Sequence, residues 1–215
     1  INTFTVNNIL TLGKERLSGR VAVEDIPSGH MHLTTILDAM TEGLEIRISY
    51  KKYTSSEEST YTLRPYAVKE FAKRWYVIGH CLERNALRVY GLDRVMSMDL
   101  TDKAFRMPSG FDVDELFATS FGIYLPEEAG KTIVFRTSQT EARFLRDLPI
   151  HPSQTELRDK EFREVLQDGG NPDDVYFSMF VCPNENLIME FCKYAGRVEV
   201  LSPASVRKSV AEQLH

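Results

Sequence analysis

Apolar and polar residues alternate with period two from Leu44 to about Thr101, and helical repeats flank that stretch on both sides. Leu44, Ile46, Ile48 and Tyr50 alternate with Glu45, Arg47, Ser49 and Lys51, the pattern of a strand with one buried face. A polar hairpin loop, Thr54 to Thr60, leads to a second strand, Tyr61 to Phe71. Pro65 predicts an edge or an irregularity in it, because proline cannot donate to a ladder. Two further strands surround the turn Glu83-Arg84-Asn85-Ala86. The first, Trp75 to Cys81, sets Trp75, Val77 and Gly79 against Tyr76, Ile78 and His80; the second, Leu87 to Leu92, sets Leu87, Val89 and Gly91 against Arg88 and Tyr90. Val95 to Thr101 predicts a fifth strand. Ahead of them, Met31, Leu33, Ile36, Leu37 and Met40 fall on one helical face that stops at Gly43, a residue suited to ending a helix. A helix followed by five closely spaced strands predicts a small, highly curved sheet that closes on itself.

The rest of the chain changes period. Residues 1 to 17 carry Ile9, Leu10, Leu12 and Leu17 near helical spacing, predicting a helix that ends at Gly19, and Asp25 to Gly29 is a turn cluster. After Pro108-Ser109-Gly110, a short helix is predicted from Asp112 to Phe121, then a linker to Gly130. From Lys131 the order is strand, helix (with Ala142, Phe144, Leu145 and Leu148 apolar), strand near Gln154 to Arg158, a polar loop through Gly169-Gly170, strand Val175 to Cys182, helix Asn184 to Ala195, strand Arg197 to Ser202 and a terminal helix from Pro203. This order fits a ferredoxin-like α+β sandwich. The predicted organisation is a linker helix over 1–29, the curved sheet over 30–107, a linker over 108–130 and the sandwich over 131–215.

Composition sharpens the picture in two places. The net charge is −5, yet residues 44 to 107 hold 12 Lys+Arg against 8 Asp+Glu. A basic segment inside an acidic chain points to an anionic ligand for that segment. The three cysteines, Cys81, Cys182 and Cys192, form no C-x-x-C pair, which suggests ordinary thiols in a reducing, cytoplasmic compartment. No apolar run is long enough to cross a bilayer and no signal-peptide pattern is present. The first residue is Ile, which suggests a fragment of a longer protein.

A helix, then Ile48-Ser49-Tyr50, Leu63-Arg64-Pro65-Tyr66, Trp75-Tyr76-Val77 and Leu87-Arg88-Val89-Tyr90-Gly91-Leu92-Asp93-Arg94-Val95 resembles the WYL domain family. Val77 stands where the family signature has Leu. The resemblance implies an Sm-like barrel in a bacterial transcription regulator, typically a homodimer, that binds a nucleic-acid or nucleotide-like effector. The part after residue 130 resembles the extension that commonly follows a WYL domain. The family's usual N-terminal winged helix-turn-helix has no counterpart in residues 1 to 43, so operator DNA is expected to be reached only through a domain this chain lacks. Specific binding of duplex DNA by the chain itself is not expected.

Position by position, the resemblance points to Tyr50, Arg64, Tyr76, His80, Arg88 and Arg94 as the effector surface. The chemistry agrees: guanidinium forks suit phosphate oxygens, and aromatic rings stack on bases at roughly 1–3 kcal/mol each. The bland alternative is that Arg64, Arg88 and Arg94 pair with Glu45, Glu70 or Asp93, at ~0–1 kcal/mol per pair. Trp75 is expected in the core, and Lys51, Lys52, Lys73 and Arg74 as a solvated rim. No cofactor or metal is predicted: His30 and His32 cannot share a helical face, and no nucleophile, phosphate-loop or zinc-protease motif occurs. Two other functions compete with ligand sensing. One is a dimerisation or structural module with no small ligand. The other is an enzyme acting on a phosphorylated small molecule, which would rest on His80 with no identified nucleophile.

Overall fold

The computed structural model describes residues 29–126, 128–158 and 171–214. The helix predicted before Gly19, the boundary at residue 29 and the Gly169-Gly170 loop lie outside these residues or at their limit. Two antiparallel sheets and short helices make a mixed α+β fold. The first part contains α1 (Leu33–Glu42), β1 (Leu44–Lys51), β2 (Glu58–Phe71), β3 (Arg74–Cys81), β4 (Ala86–Gly91), a 3-10 turn at Leu92–Arg94 and β5 (Val95–Ala104). The five strands follow the order β4-β3-β2-β1-β5.

That order sets the shape. β4 and β5 are the two edges, yet only the Leu92–Arg94 turn joins them. Four spacings across a flat sheet amount to about 19 Å, whereas the chain from Gly91 to Val95 reaches at most about 14 Å. The sheet must therefore roll until its edges meet at that corner. Its concave face encloses one core: Leu33, Ile36 and Ala39 of α1, Ile46, Ile48 and Tyr50 of β1, Tyr61 and Leu63 of β2, Val77 and Cys81 of β3, Tyr90 of β4, Leu92 and Val95. The expected closure is not seen, because no ladder joins β4 to β5 among the described residues.

Pro65 marks an irregularity as predicted. The β2–β3 register slips between Pro65 and Ala67, which bends the 14-residue strand β2. Gly79 pairs with Pro65 at this bend. A Cβ on Gly79 would lie 2.4 Å from the Arg64 carbonyl oxygen, so only glycine lets the backbones approach. Strand parity on β3 holds: Trp75 packs partly buried against the concave core with Val77 and Cys81, while Ile78 joins a cluster on the convex side with Ala67 and Phe117. The helical face of α1 is corrected. Leu33, Ile36 and Ala39 are its buried positions, and Met31 and Leu37 are exposed at 68% and 44%. Gly43 ends the helix as expected.

A short helix, α2 (Val113–Phe117), is capped by Asp112, whose carboxylate accepts from the Asp114 and Glu115 amides. The second part contains β6 (Lys131–Thr137), α3 (Gln139–Asp147), β7 (Thr155–Leu157), β8 (Val175–Val181), α4 (Glu185–Lys193), β9 (Val198–Ser202) and α5 (Ala204–Leu214), with sheet order β7-β8-β6-β9. Ser138 and Asn184 cap α3 and α4. Ile133, Phe135, Phe177 and Met179 meet Ala142, Leu145, Leu187 and Phe191 in one core. Of the apolar residues noted for the helix, Ala142 and Leu145 are buried, whereas Phe144, and Leu148 just past its end, are exposed at 65% and 80%. Val206 and Val210 of α5 join the same core, so the terminal helix lies on the face already covered by α3 and α4. On the opposite face Tyr176 is buried and Phe180 is 47% exposed.

Residues 119–122 connect the two parts. Ser120 bridges Cys182 in parallel, the Cys182 amide donates to Thr119 O at 2.6 Å, and the Asn184 side chain donates to Phe121 O at 2.9 Å. Phe71 of β2 meets Phe121 edge-on at 5.9 Å. Each core should carry its own cost on truncation. In urea unfolding, Ile48→Ala is expected to lose ~2–5 kcal/mol and Phe135→Ala ~3–5 kcal/mol, while Leu37→Ser on the exposed side of α1 stays within about 0.5 kcal/mol.

Candidate ligand-binding groove

Rolling the sheet gathers three tyrosines at its open end. Tyr50, Tyr61 and Tyr90 come from β1, β2 and β4. The Tyr50 and Tyr90 rings meet edge-on at 5.0 Å, and Tyr61 and Tyr90 lie 5.2 Å apart. All three are buried. They form the floor of a groove of about 660 Å³. Arg84 and Arg88 stand on one side, the turn Lys52-Tyr53-Thr54 forms a lip, and Ile123, Tyr124 and Leu125 supply a wall from beyond the first sheet.

Burial fixes the protonation of the floor. It pushes the Tyr50 phenol from 10.0 up to about 12, against the pull of Arg94. Tyr90 is raised as well, by burial and then by its hydrogen bond to the Cys81 sulfur at 3.3 Å. Tyr61 moves the other way, because the Arg84 side chain bonds its hydroxyl.

Arg94 is the most constrained cation of the groove. Its guanidinium lies 5.2 Å from the Tyr50 ring centre and 5.1 Å from that of Tyr53, so two aromatic faces hold it, each contact contributing ~0.5–2 kcal/mol. Its side chain is only 23% exposed, and its Nε is buried with no hydrogen-bond partner among the described residues. Asp93 approaches that Nε no closer than 3.9 Å. Gly91 makes the arrangement possible, since a Cβ there would lie 2.6 Å from both Arg94 Nη2 and Asp93 Oδ1.

Of the six residues expected at the effector surface, Tyr50, Arg88 and Arg94 line this groove. Arg64, Tyr76 and His80 do not. Strand parity turns them to the opposite face from Tyr61, Leu63, Val77 and Cys81. Arg64 Nε donates to Glu45 Oε1 at 2.9 Å, and Glu45 is 3% exposed. Tyr76 is buried and its phenol raised, by burial first and by Asp93 second. His80 is half-buried, opposite Arg64 and Leu87. Arg74, expected in a solvated rim, instead donates to Asp93 Oδ2 at 2.9 Å and to the Tyr53 hydroxyl at 2.7 Å. Lys51 and Lys52 are exposed.

Tyr53, Tyr61 and Arg84 join the groove without having been singled out. The two tyrosines flank the polar hairpin loop and Arg84 sits in the next turn, so aromatic residues bordering turns of a basic segment were the available signal. Nothing in the linker pattern marks Ile123 to Leu125. No cluster of His, Cys, Asp and Glu suited to a metal occurs among the described residues.

Residues 31–100 match the WYL domain. The chain carries a WYL domain. Curated relatives are Protein PafB of Mycobacterium bovis and Protein PafB of Mycobacterium tuberculosis, each 23% identical over 202 residues. The alignment takes in 92% of this chain and 56% of either relative, so the chain spans little more than half the length of the curated proteins it matches. Among solved structures, proteasome accessory factor B/C of Arthrobacter aurescens is 19% identical, with a TM-score of 0.38 over 93% of this chain and 29% of that one. A CRISPR Cas-related protein is 13% identical, with a TM-score of 0.43 over 83% and 48%. The groove lies almost wholly within the WYL domain, with Ile123 to Leu125 added from outside it.

The raised phenols give a direct test. Their neutral forms are favoured by the fold, so their stabilisation is complete below the unfolded value near 10; that of Tyr50 is lost as pH rises through about 12, and that of Tyr90 persists to higher pH. An ultraviolet titration is expected to show Tyr61 ionising early and Tyr50 and Tyr90 last. Urea midpoints should fall across the same alkaline window, and a Tyr50→Phe variant should lose less there.

Proposed function

We propose that the chain is the ligand-sensing, regulatory part of a bacterial transcription regulator, and that its WYL domain takes a nucleic-acid or nucleotide-like effector in the groove beside Arg94. The observation that carries this reading is Arg94 itself: a guanidinium more than three-quarters buried, held by two tyrosine faces and with a donor left over. Arg84 and Arg88 line the same groove. Arg88 bonds only to its neighbour's carbonyl, Leu87 O, at 3.3 Å among the described residues. Guanidinium groups set around aromatic rings suit phosphates with bases attached. The WYL match and the PafB relatives support a regulatory role over an enzymatic one. The greater length of those relatives supports a DNA-reading domain beyond these residues.

Finer structural readings belong to the same proposal. The leading helix and the order β4-β3-β2-β1-β5 support an Sm-like sheet over 30–107. The order β7-β8-β6-β9 with its intervening helices supports a ferredoxin-like domain over 131–215, after a linker over 108–130. The half-exposed Phe180 on the second face of that sheet supports pairing with a second copy. The three thiols are free, in keeping with a cytoplasmic setting, and no described helix is long and apolar enough to cross a membrane.

A purely structural role has its own support in the Arg64–Glu45 and Arg74–Asp93 pairs. Fluorescence anisotropy with short labelled single strands of DNA and RNA separates the two. Arg88→Ala and Arg94→Ala are each expected to weaken binding by roughly 1.5–3 kcal/mol, with Arg64→Ala close to wild type because it lies on the other face. Three neutralised phosphates would give a salt slope of about −2. Wild-type binding by both groove variants would remove the site assignment, and no binding at all by the folded protein would favour the structural role.

A further inference from the structure

Asp93 stands at the corner where the rolled edges meet, with its side chain 7% exposed. Its Oδ2 accepts from the Tyr53 phenol and, at 2.9 Å, from Arg74 Nη1. The same Arg74 nitrogen donates to the Tyr53 oxygen at 2.7 Å. One hydroxyl therefore gives its proton to a carboxylate and accepts from a guanidinium at once. Asp93 Oδ1 is buried, faces Arg94 Nε at 3.9 Å and has no hydrogen-bond partner among the described residues. A buried carboxylate oxygen without a donor is costly, and native folds keep few.

Tyr53 is a weak permanent partner for so buried an acid. It sits on the β1–β2 turn, 70% exposed. Its hydroxyl contacts and its ring against Arg94 are what hold it to the corner. The position it fills has a definite chemistry. A phosphate oxygen carries no proton for the carboxylate and is repelled by it. An amide N–H on a base edge could donate to Asp93 but could not accept from Arg74 through the same atom. A sugar hydroxyl does both. An acidic residue serves ribose in the same way in dinucleotide-binding folds.

We propose that Asp93 and Arg74 form a hydroxyl subsite, filled here by the Tyr53 phenol and taken over by a ribose hydroxyl when a ligand enters the groove. The inference rests on the nucleotide reading above and adds discrimination between sugars. Tyr53 then acts as an internal competitor. Moving its ring uncovers one face of Arg94, so a phosphate next to the ribose gains the guanidinium in the same step. Lys52, Tyr53 and Thr54 follow β1 in the turn to β2, outside the ladder that pairs the two strands.

The test uses two labelled probes of equal length, oligouridylate and oligodeoxyuridylate, which differ only in the 2′-hydroxyl, titrated into the whole chain by anisotropy. The ribo probe is expected to bind about tenfold tighter, the effect of one hydrogen bond to a charged group. Asp93→Asn should bring the ratio to about one. Tyr53→Phe, which removes the competing hydroxyl and keeps the ring, should tighten the ribo probe by about fivefold and so widen the ratio. A melting curve checks the fold of Asp93→Asn; if that variant unfolds, the wild-type ratio and its change in Tyr53→Phe decide the matter. Equal affinity for the two probes in wild type, or a ratio that survives in folded Asp93→Asn, overturns the subsite and leaves the nucleotide reading standing. Failure of wild type to bind either probe overturns both.

Discussion

Three residues, Leu92 to Arg94, carry the chain from one edge of a five-stranded sheet to the other, and this short connection governs the WYL domain. A flat sheet cannot be spanned by so few residues. Rolling is therefore enforced by connectivity before any side chain is considered. The roll creates the concave core, gives α1 a face to cover, and draws Tyr50, Tyr61 and Tyr90 from separate strands to one end. The turn that forces the roll also supplies Asp93 and Arg94. Geometry and chemistry thus have the same origin in this domain.

The charges at the corner divide by how they are satisfied. Arg64 and Glu45 form a conventional partly buried pair on the far face, where the loss of either partner would strand the other. Arg94 is held by π faces, which stabilise its charge without consuming its donors. This difference leaves Arg94 Nε without a hydrogen-bond partner among the described residues while Arg64 Nε is committed to Glu45, although the two look alike in the sequence. Desolvation acts beside it: burial favours the neutral phenols of Tyr50 and Tyr90 on the groove floor, while Arg84 and Arg88 line the groove beside them.

The second sheet has an independent core, yet it is not remote from the groove. Ser120 and Phe121 are tied to Cys182 and to Asn184, the cap of α4, and the next residues, Ile123 to Leu125, wall the groove. The WYL domain and its neighbour therefore share a short connecting segment. The segment is polar in its backbone bonds and apolar at Phe121, which is buried in the second core.

Much of this protein was legible in its residues. Period-two alternation located all five strands of the WYL domain, and parity on β3 and β4 separated Val77 and Tyr90 from Ile78 and Val89 as the two cores do. Glycine and proline marked the end of α1 and the slip in β2, since both act through local backbone sterics. The charge balance pointed to the basic segment, and the resemblance to the WYL family pointed to Tyr50, Arg88 and Arg94. What they did not decide was depth and partnership. Met31, Leu37, Phe144 and Leu148 satisfy a helical stripe but stay exposed, because how much of a helix is covered depends on what packs against it. Arg64, Tyr76 and His80 share the composition of a site yet face away from it, and Arg74 is bound where a free rim was expected. The sheet rolled without closing, Tyr53 met Asp93 across 40 residues, and Ile123 to Leu125 became a wall. The sequence by itself determined the local elements, which follow from neighbours along the chain. The tertiary structure alone decided how each cation is partnered, because an arginine's partner is chosen by distances that only the rolled sheet sets.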